Sequence, residues 1–156
     1  MNPADILTLF KDNPPIREVV SCFHGANPSE ESKEAQTGKR FRINLKELTG
    51  SSRAVTVATV FEATAQPHLV LLQNKEDAAY FYNDLQQFLD DRVYFFPSSF
   101  KKGVHGGVKD NQGLLSRTEV LNLLNGRLRK FIIVSYPEAV TEKVVNRKFL
   151  EKNTLK

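Results

Sequence analysis

The chain has 156 residues, of which 40% are apolar, and a formal net charge of +4 from 22 basic and 18 acidic residues. A domain of this length can bury roughly 70% of its unfolded surface, so it needs no disulfide or metal to form a core. The single cysteine, Cys22, cannot form an internal disulfide, which indicates a reducing compartment. The sequence shows neither a signal peptide nor an apolar run near the ~20 residues of a membrane span. We therefore expect a soluble, cytoplasmic protein.

Two short helices are predicted within residues 3–24, separated at Asn13-Pro14-Pro15. The second should bury four apolar side chains, those of Ile16, Val19, Val20 and Phe23. Residues 26–40 contain almost no apolar side chain, and such a stretch cannot offset the entropy lost on ordering. The sequence therefore predicts an N-terminal helical segment (1–25), a flexible linker (26–40) and a compact α/β lobe (41–156).

Within the lobe, continuously apolar runs predict strands covered on both faces, as in parallel sheets. These runs are Leu69–Leu72, Val93–Phe96 and Phe131–Val134. Alternating apolar residues predict a further strand ahead of them, at Phe41, Ile43 and Leu45.

Segments of helical period separate the predicted strands. Lys75–Leu89 carries an apolar residue every three to four positions, with Asn74 placed as its N-cap. Ala54–Phe61 is rich in β-branched residues, but its apolar positions recur at i, i+3, i+4 and i+7, which predicts a helix. Strands that alternate with helices predict an α/β fold. We expect a three-layer sandwich with a mainly parallel sheet, preceded by the short N-terminal helices.

Two serine-led motifs predict further helix starts. Ser116–Glu119 has the spacing of a capping box, and the helix that it opens should run through Leu124 and end at Gly126. Ser135–Glu138 repeats the motif directly after the third apolar run, with a proline in the first turn.

Glu47–Ala54 lies where a phosphate-binding loop would stand, between the first predicted strand and the first helix. Such a loop reads G-x-x-x-x-G-K-[S/T]. Glu47 replaces the first glycine and would direct a negative charge at a polyphosphate, and the Cβ of Ser52 disfavours a left-handed backbone at the second. Arg53 lacks the compact ammonium of lysine, and Ala54 lacks the hydroxyl that binds magnesium.

The surviving Thr49-Gly50-Ser51 still permits a tight turn. We therefore predict a degenerate phosphate loop that binds no nucleotide and no metal. Its residues are Glu47, Gly50, Ser52, Arg53 and Ala54.

Three segments resemble a known family. Leu48–Phe61 is similar to the first loop and helix of the excision-repair helicase subunit UvrB, His68–Leu89 to its second strand and helix, and Lys130–Val140 to a later strand and turn. The degenerate loop, together with Phe95–Gly107, resembles the UvrB-like N-terminal region (domain 1a) of the bacterial transcription-repair coupling factors (Mfd). The resemblance covers residues 41 to about 150 and implies a degenerate RecA-like lobe.

The resemblance implies that this chain is a non-catalytic scaffold and interaction lobe, without a cofactor of its own, within a longer protein. The full-length protein would be an ATP-dependent DNA translocase that displaces stalled RNA polymerase at lesions and recruits UvrA for nucleotide-excision repair. ATP and Mg would bind to a motor outside this chain. UvrA would bind mainly to an inserted domain that this chain lacks. Ser98–Gly113 has a single aromatic residue, Phe100, so the DNA-clamping hairpin of UvrB is not implied.

Other candidate sites are weaker. The histidines, His24, His68 and His105, are far apart in sequence and predict no metal site. Gly103–Gly107 beside Lys101 and Lys102 is typical of a surface loop, because it does not open a helix directly after a strand. Two alternatives stay open. One is an ATP-binding fragment of a UvrB-like helicase. The other is a small stand-alone flavodoxin-like enzyme, although its flavin-phosphate loop and acid–base pair are missing.

Overall fold

The computed structural model describes residues 3–24, 42–64, 66–101, 108–109, 111–126 and 130–144. The chain divides into two compact units, Met1–Ala65 and Gln66–Lys156. The first contains the helices α1 (Pro3–Lys11), α2 (Pro14–His24) and α3 (Ser52–Thr64). The elements of the second are β1 (His68–Leu71), α4 (Lys75–Leu89), a 3-10 turn (Asp90–Arg92), β2 (Val93–Phe95), β3 (Phe100–Lys101), β4 (Val108–Lys109), α5 (Asn111–Asn125), β5 (Ile132–Ser135) and α6 (Pro137–Thr141).

In the first unit, α1 and α2 both pack against α3. Ile16, Val19 and Val60 form its buried cluster, and Val20 and Phe23 pack against them. The predicted break between the first two helices is confirmed, and so is the helix at Ala54–Phe61, whose apolar spacing outweighs its β-branched composition. The predicted boundaries near residues 25 and 40 lie outside the described residues, so that division stays a prediction.

The strand predicted at Phe41–Leu45 is wrong in its described part. Residues 42–46 form no strand, and Ile43 and Leu45 are 42% and 44% exposed. Alternation favours an extended backbone, but a strand also needs a neighbour for its hydrogen bonds, and no described strand pairs with these residues. The loop Glu47–Ala54 therefore follows irregular chain rather than a strand.

The second unit is built on a three-stranded sheet in the order β1-β5-β2. Both neighbours run parallel to β5, with Leu69 and Tyr94 in register with Ile133. The predicted parallel sheet is confirmed, and so is the α/β fold class. The central strand β5 is buried along its whole length, as its continuously apolar sequence indicates.

Helices cover both faces of this sheet. The ring of Phe95 stacks on Tyr82 of α4 at 5.4 Å, whereas Tyr94 packs into the cluster formed by Val120 of α5 with Phe131 and Ile133. Since successive residues of a strand point to opposite faces, α4 and α5 lie on opposite sides.

The edge strand β1 departs from prediction, because only one of its faces is covered. Leu69 and Leu71 are 60% and 53% exposed, although the run Leu69–Leu72 predicted burial on both faces. A continuous apolar run identifies a strand but does not show whether the strand lies at the centre or the edge of its sheet.

The start and end of α4 are confirmed: it begins after Asn74, whose Oδ1 accepts the backbone N–H of Asp77 at 2.8 Å. The prediction for α5 is wrong at its start, because the helix begins at Asn111 and places Ser116 and Arg117 inside it. A capping serine needs a non-helical backbone, and here the chain is already helical. The predicted end is confirmed, since α5 stops at Asn125 beside Gly126.

The serine of the second motif does not cap a helix either. Tyr136 is the N-cap of α6 and Pro137 is its first residue, as predicted for the proline. Ser135 ends β5 instead, and its hydroxyl donates to the carbonyl of Phe96 at 2.7 Å. In the part of the chain that the structure describes, no helix is long and apolar enough to cross a membrane.

Candidate functional site

The degenerate loop forms a tight turn held by its own neighbours. Glu47 and Gly50 have left-handed backbones, with φ of 63° and 53°. Ser52 opens α3, and both its hydroxyl (2.6 Å) and its backbone N–H (3.2 Å) donate to the carbonyl of Thr49. These bonds join residues three positions apart and are therefore local to the turn.

The residues of the loop differ in their exposure to solvent. Glu47, Gly50 and Arg53 are exposed, and Ser52 is half-buried. Ala54 is completely buried. Residue 54 is the position that carries the magnesium-binding hydroxyl in a working loop. A side chain at this position therefore faces packed protein rather than solvent. That the loop binds no nucleotide stays a prediction.

Of the three histidines, only His68 has a side chain that the structure describes. His68 is half-buried at the start of β1, and its Nδ1 lies 2.8 Å from the carbonyl of Gln66. Burial lowers the pKa of His68 below its ordinary value, although the hydrogen bond to Gln66 opposes the shift. The side chain of His24 and all of residues 102–107, with His105, lie outside the described residues. Among the described residues, no group of three or more His, Cys, Asp or Glu could hold a metal ion.

A cluster that sequence reasoning missed lies where β2 and β5 end. Its most buried member is Arg117, in the middle of α5 and only 3% exposed. Its Nη1 donates to the carbonyls of Pro97 at 2.8 Å and Ala139 at 3.0 Å. The guanidinium also lies 4.2 Å from the centre of the Phe96 ring. One arginine thus joins the chain after β2 to helix α6.

Glu142, just after α6, is the acceptor of the cluster. Its carboxylate accepts the hydroxyl of Ser98 at 2.9 Å, the backbone N–H of Ser99 at 2.9 Å and the hydroxyl of Ser99. Its Oε2 lies 3.7 Å from Nη1 of Arg117. Burial alone would raise the pKa of Glu142, but the bonds from the two serines and the arginine charge together lower it.

Tyr136 completes the cluster from the end of β5. Its hydroxyl accepts the backbone N–H of Ser98 at 2.8 Å, and its ring lies 6.4 Å from that of Phe95. Burial raises the pKa of Tyr136, so the phenol stays neutral at physiological pH. We call the five residues the carboxyl-edge cluster; they are Ser98, Ser99, Arg117, Tyr136 and Glu142.

The hydrogen-bonding groups of the carboxyl-edge cluster are directed at one another and at backbone carbonyls, and they join the segments that carry them. Both serine hydroxyls donate to the Glu142 carboxylate, which is ionised and hydrogen-bonded and therefore a weak base. The donors of Arg117 are directed at carbonyls within the protein. The missed signal in the sequence is the spacing of Arg117 with the buried Gly113 and Val120, which places an arginine on the inner face of α5.

No family model matches the chain. It is 33% identical to UvrABC system protein B of Methanosarcina mazei over 97 residues, which are 58% of this chain and 14% of that protein. It is 39% identical to UvrABC system protein B of Methanococcus maripaludis over 54 residues, or 34% of this chain and 8% of that protein. The chain therefore matches less than a sixth of the length of these curated relatives. These matches support the predicted resemblance to UvrB.

Proposed function

We propose that this chain is a non-catalytic scaffold lobe of a UvrB-like DNA-repair protein, and within that class of a transcription-repair coupling factor (Mfd). The observation that carries the proposal is similarity to UvrB combined with replacement of every fixed phosphate-loop position. The complete burial of Ala54 supports it, because even a restored hydroxyl would point into packed protein. On this proposal, the lobe has a RecA-like fold whose nucleotide-binding site has been lost.

The activity of the whole protein is part of the same proposal. A longer protein would use ATP and Mg at a motor outside this chain to move along DNA. It would displace stalled RNA polymerase and bring UvrA to the lesion. The lobe formed by this chain would support neighbouring domains rather than catalyse a reaction.

Nucleotide binding tests the non-catalytic assignment. Titration calorimetry of the chain with Mg-ATP should give no heat of binding, because Glu47 opposes the phosphate charge and Ala54 removes the metal ligand. A protein with an intact phosphate loop serves as the positive control in the same buffer. Micromolar affinity for Mg-ATP would contradict the proposal and favour an ATP-binding helicase fragment.

UvrA binding tests the assignment of the partner. Residues 1–156 alone should bind purified UvrA weakly or not at all, whereas a polypeptide that also contains the inserted domain should bind well. A stable interface buries ~800 Å² per partner around a few aromatic or arginine anchors. The polar stretches 26–39 and 98–113 carry almost none. Equal affinity of the two polypeptides, measured at the same salt concentration, would place the contact on this lobe instead.

A further inference from the structure

The second unit contains a small hairpin that is separate from its main sheet. Strand β3 pairs antiparallel with β4, with Phe100 opposite Lys109 and Lys101 opposite Val108. Each strand has two residues, and within the described residues neither pairs with β1, β5 or β2. A two-stranded hairpin is marginal in water even when it is longer, so this one needs support from outside itself.

The carboxyl-edge cluster includes residues from the two segments that flank this hairpin in the chain. On the incoming side, Ser98 and Ser99 directly precede β3 and are bonded to Glu142. On the outgoing side, α5 begins at Asn111, two residues after β4, and carries Arg117. Nη1 of Arg117 lies 3.7 Å from the Glu142 carboxylate. Glu142, just after α6, therefore contacts both the segment before β3 and the helix after β4.

We infer that the carboxyl-edge cluster is a clamp for the β3–β4 hairpin, in which Glu142 is the positioning residue. Opening the clamp releases the hairpin as a unit while the parallel sheet stays folded. The inference rests on the contacts around Glu142 and Arg117 and is independent of the proposed repair function.

The two parts can separate because their stabilising contacts differ. The sheet is held by apolar packing: Ile132 and Val134 of β5 are completely buried, and Val120, Phe131 and Ile133 form a separate buried cluster. The residues just before the hairpin are held by polar contacts, most of which go to one carboxylate. Local opening follows the weaker set of contacts, so loss of the carboxylate should act on the hairpin first.

Hydrogen–deuterium exchange of the whole chain tests the clamp. In Glu142→Gln, the amides of β3 and β4 should exchange about tenfold faster than in the unmodified chain, the factor expected for loss of about one charge-assisted hydrogen bond. The hairpin amides should exchange through an opening that depends little on urea concentration, whereas the amides of β5 should exchange through unfolding of the whole unit, at a rate that rises steeply with urea. The matched control is Glu76→Gln, the same change on the exposed surface of α4, which should alter neither set.

Two results would overturn the clamp. An exchange rate of the hairpin amides that rises with urea as steeply as that of β5 would show that the hairpin opens only when the whole unit unfolds. Unchanged exchange of the hairpin, or exchange already unprotected in the unmodified chain, would show that the cluster does not hold it. If Glu142→Gln does not fold, Ser99→Ala removes one hydroxyl donor from the same carboxylate and should accelerate hairpin exchange with the same weak dependence on urea.

Discussion

Two serine-containing turns of this protein look alike in sequence and differ in structure. The loop Glu47–Ala54 and the stretch Pro97–Ser99 each place polar residues beside a regular element. In the first, Ser52 bonds to Thr49, three residues away. In the second, Ser98 and Ser99 bond to Glu142, more than forty residues away.

The difference shows that resemblance to a motif does not locate the important polar contacts. The loop that nearly matches a phosphate-binding sequence makes hydrogen bonds between its own residues and is mostly exposed. The carboxyl-edge cluster matches no motif, yet it joins the ends of two strands to two helices. We expect substitutions in the cluster to cost much more stability than equivalent substitutions in the loop.

The largest effect is expected at Arg117. Arg117→Met should lower the free energy of unfolding by about 3 kcal/mol, because it leaves the carbonyls of Pro97 and Ala139 and the Glu142 carboxylate without their cationic partner. Urea denaturation monitored by tyrosine fluorescence measures this change in the free energy of unfolding. The tyrosines report on the second unit alone, because all of them, Tyr80, Tyr82, Tyr94 and Tyr136, lie there. A loss below about 0.5 kcal/mol, the size of a surface effect, would contradict the assignment of Arg117 as the centre of the cluster.

Glu142→Gln should cost about 1–2 kcal/mol at pH 7, and the cost should depend on pH. A lowered pKa means that the folded state favours the ionised carboxylate. Its stabilisation is therefore complete above the ordinary value of 4.5 and is lost as the pH falls through the lower folded-state pKa. Urea titrations of both proteins from pH 7 to pH 3 should show their difference shrinking at the acid end. A difference that stays constant would mean that the charge of Glu142 plays no part.

A matched pair of serines compares the two turns directly. Ser99→Ala should cost about 1 kcal/mol, because a part-buried carboxylate loses a donor. Ser52→Ala removes a hydrogen bond that is local and exposed, and should cost less than about 0.5 kcal/mol. Thermal unfolding followed by circular dichroism ranks the two variants. The reverse order would mean that the Glu47–Ala54 loop is the more constrained turn.

The smallest effect is expected at Arg53. This side chain is exposed at the start of α3, so Arg53→Ala should change the free energy of unfolding by no more than about 0.5 kcal/mol. Urea denaturation followed by circular dichroism is suitable because it reports on the helices of the first unit. A loss of several kcal/mol would mean that Arg53 holds a buried partner.

Local patterns in the sequence were sufficient for several elements. The apolar spacing of α3 and the capping asparagine of α4 both predicted what the structure contains, and the continuous apolar runs located the parallel strands. These features depend on residues within one or two turns of each other. Periodicity and capping chemistry therefore express them directly.

Contacts between distant segments decided the rest. Ile43 and Leu45 alternate as a strand would, but none of the strands that the structure describes pairs with that segment. Leu69 is exposed because β1 lies at the edge of the sheet, which an apolar run cannot show. Arg117 was assigned to a helix start, whereas it lies inside α5 and contacts carbonyls twenty or more residues away. Backbone and side-chain groups choose partners by proximity in the folded chain, so tertiary packing alone made Arg117 and Glu142 a pair.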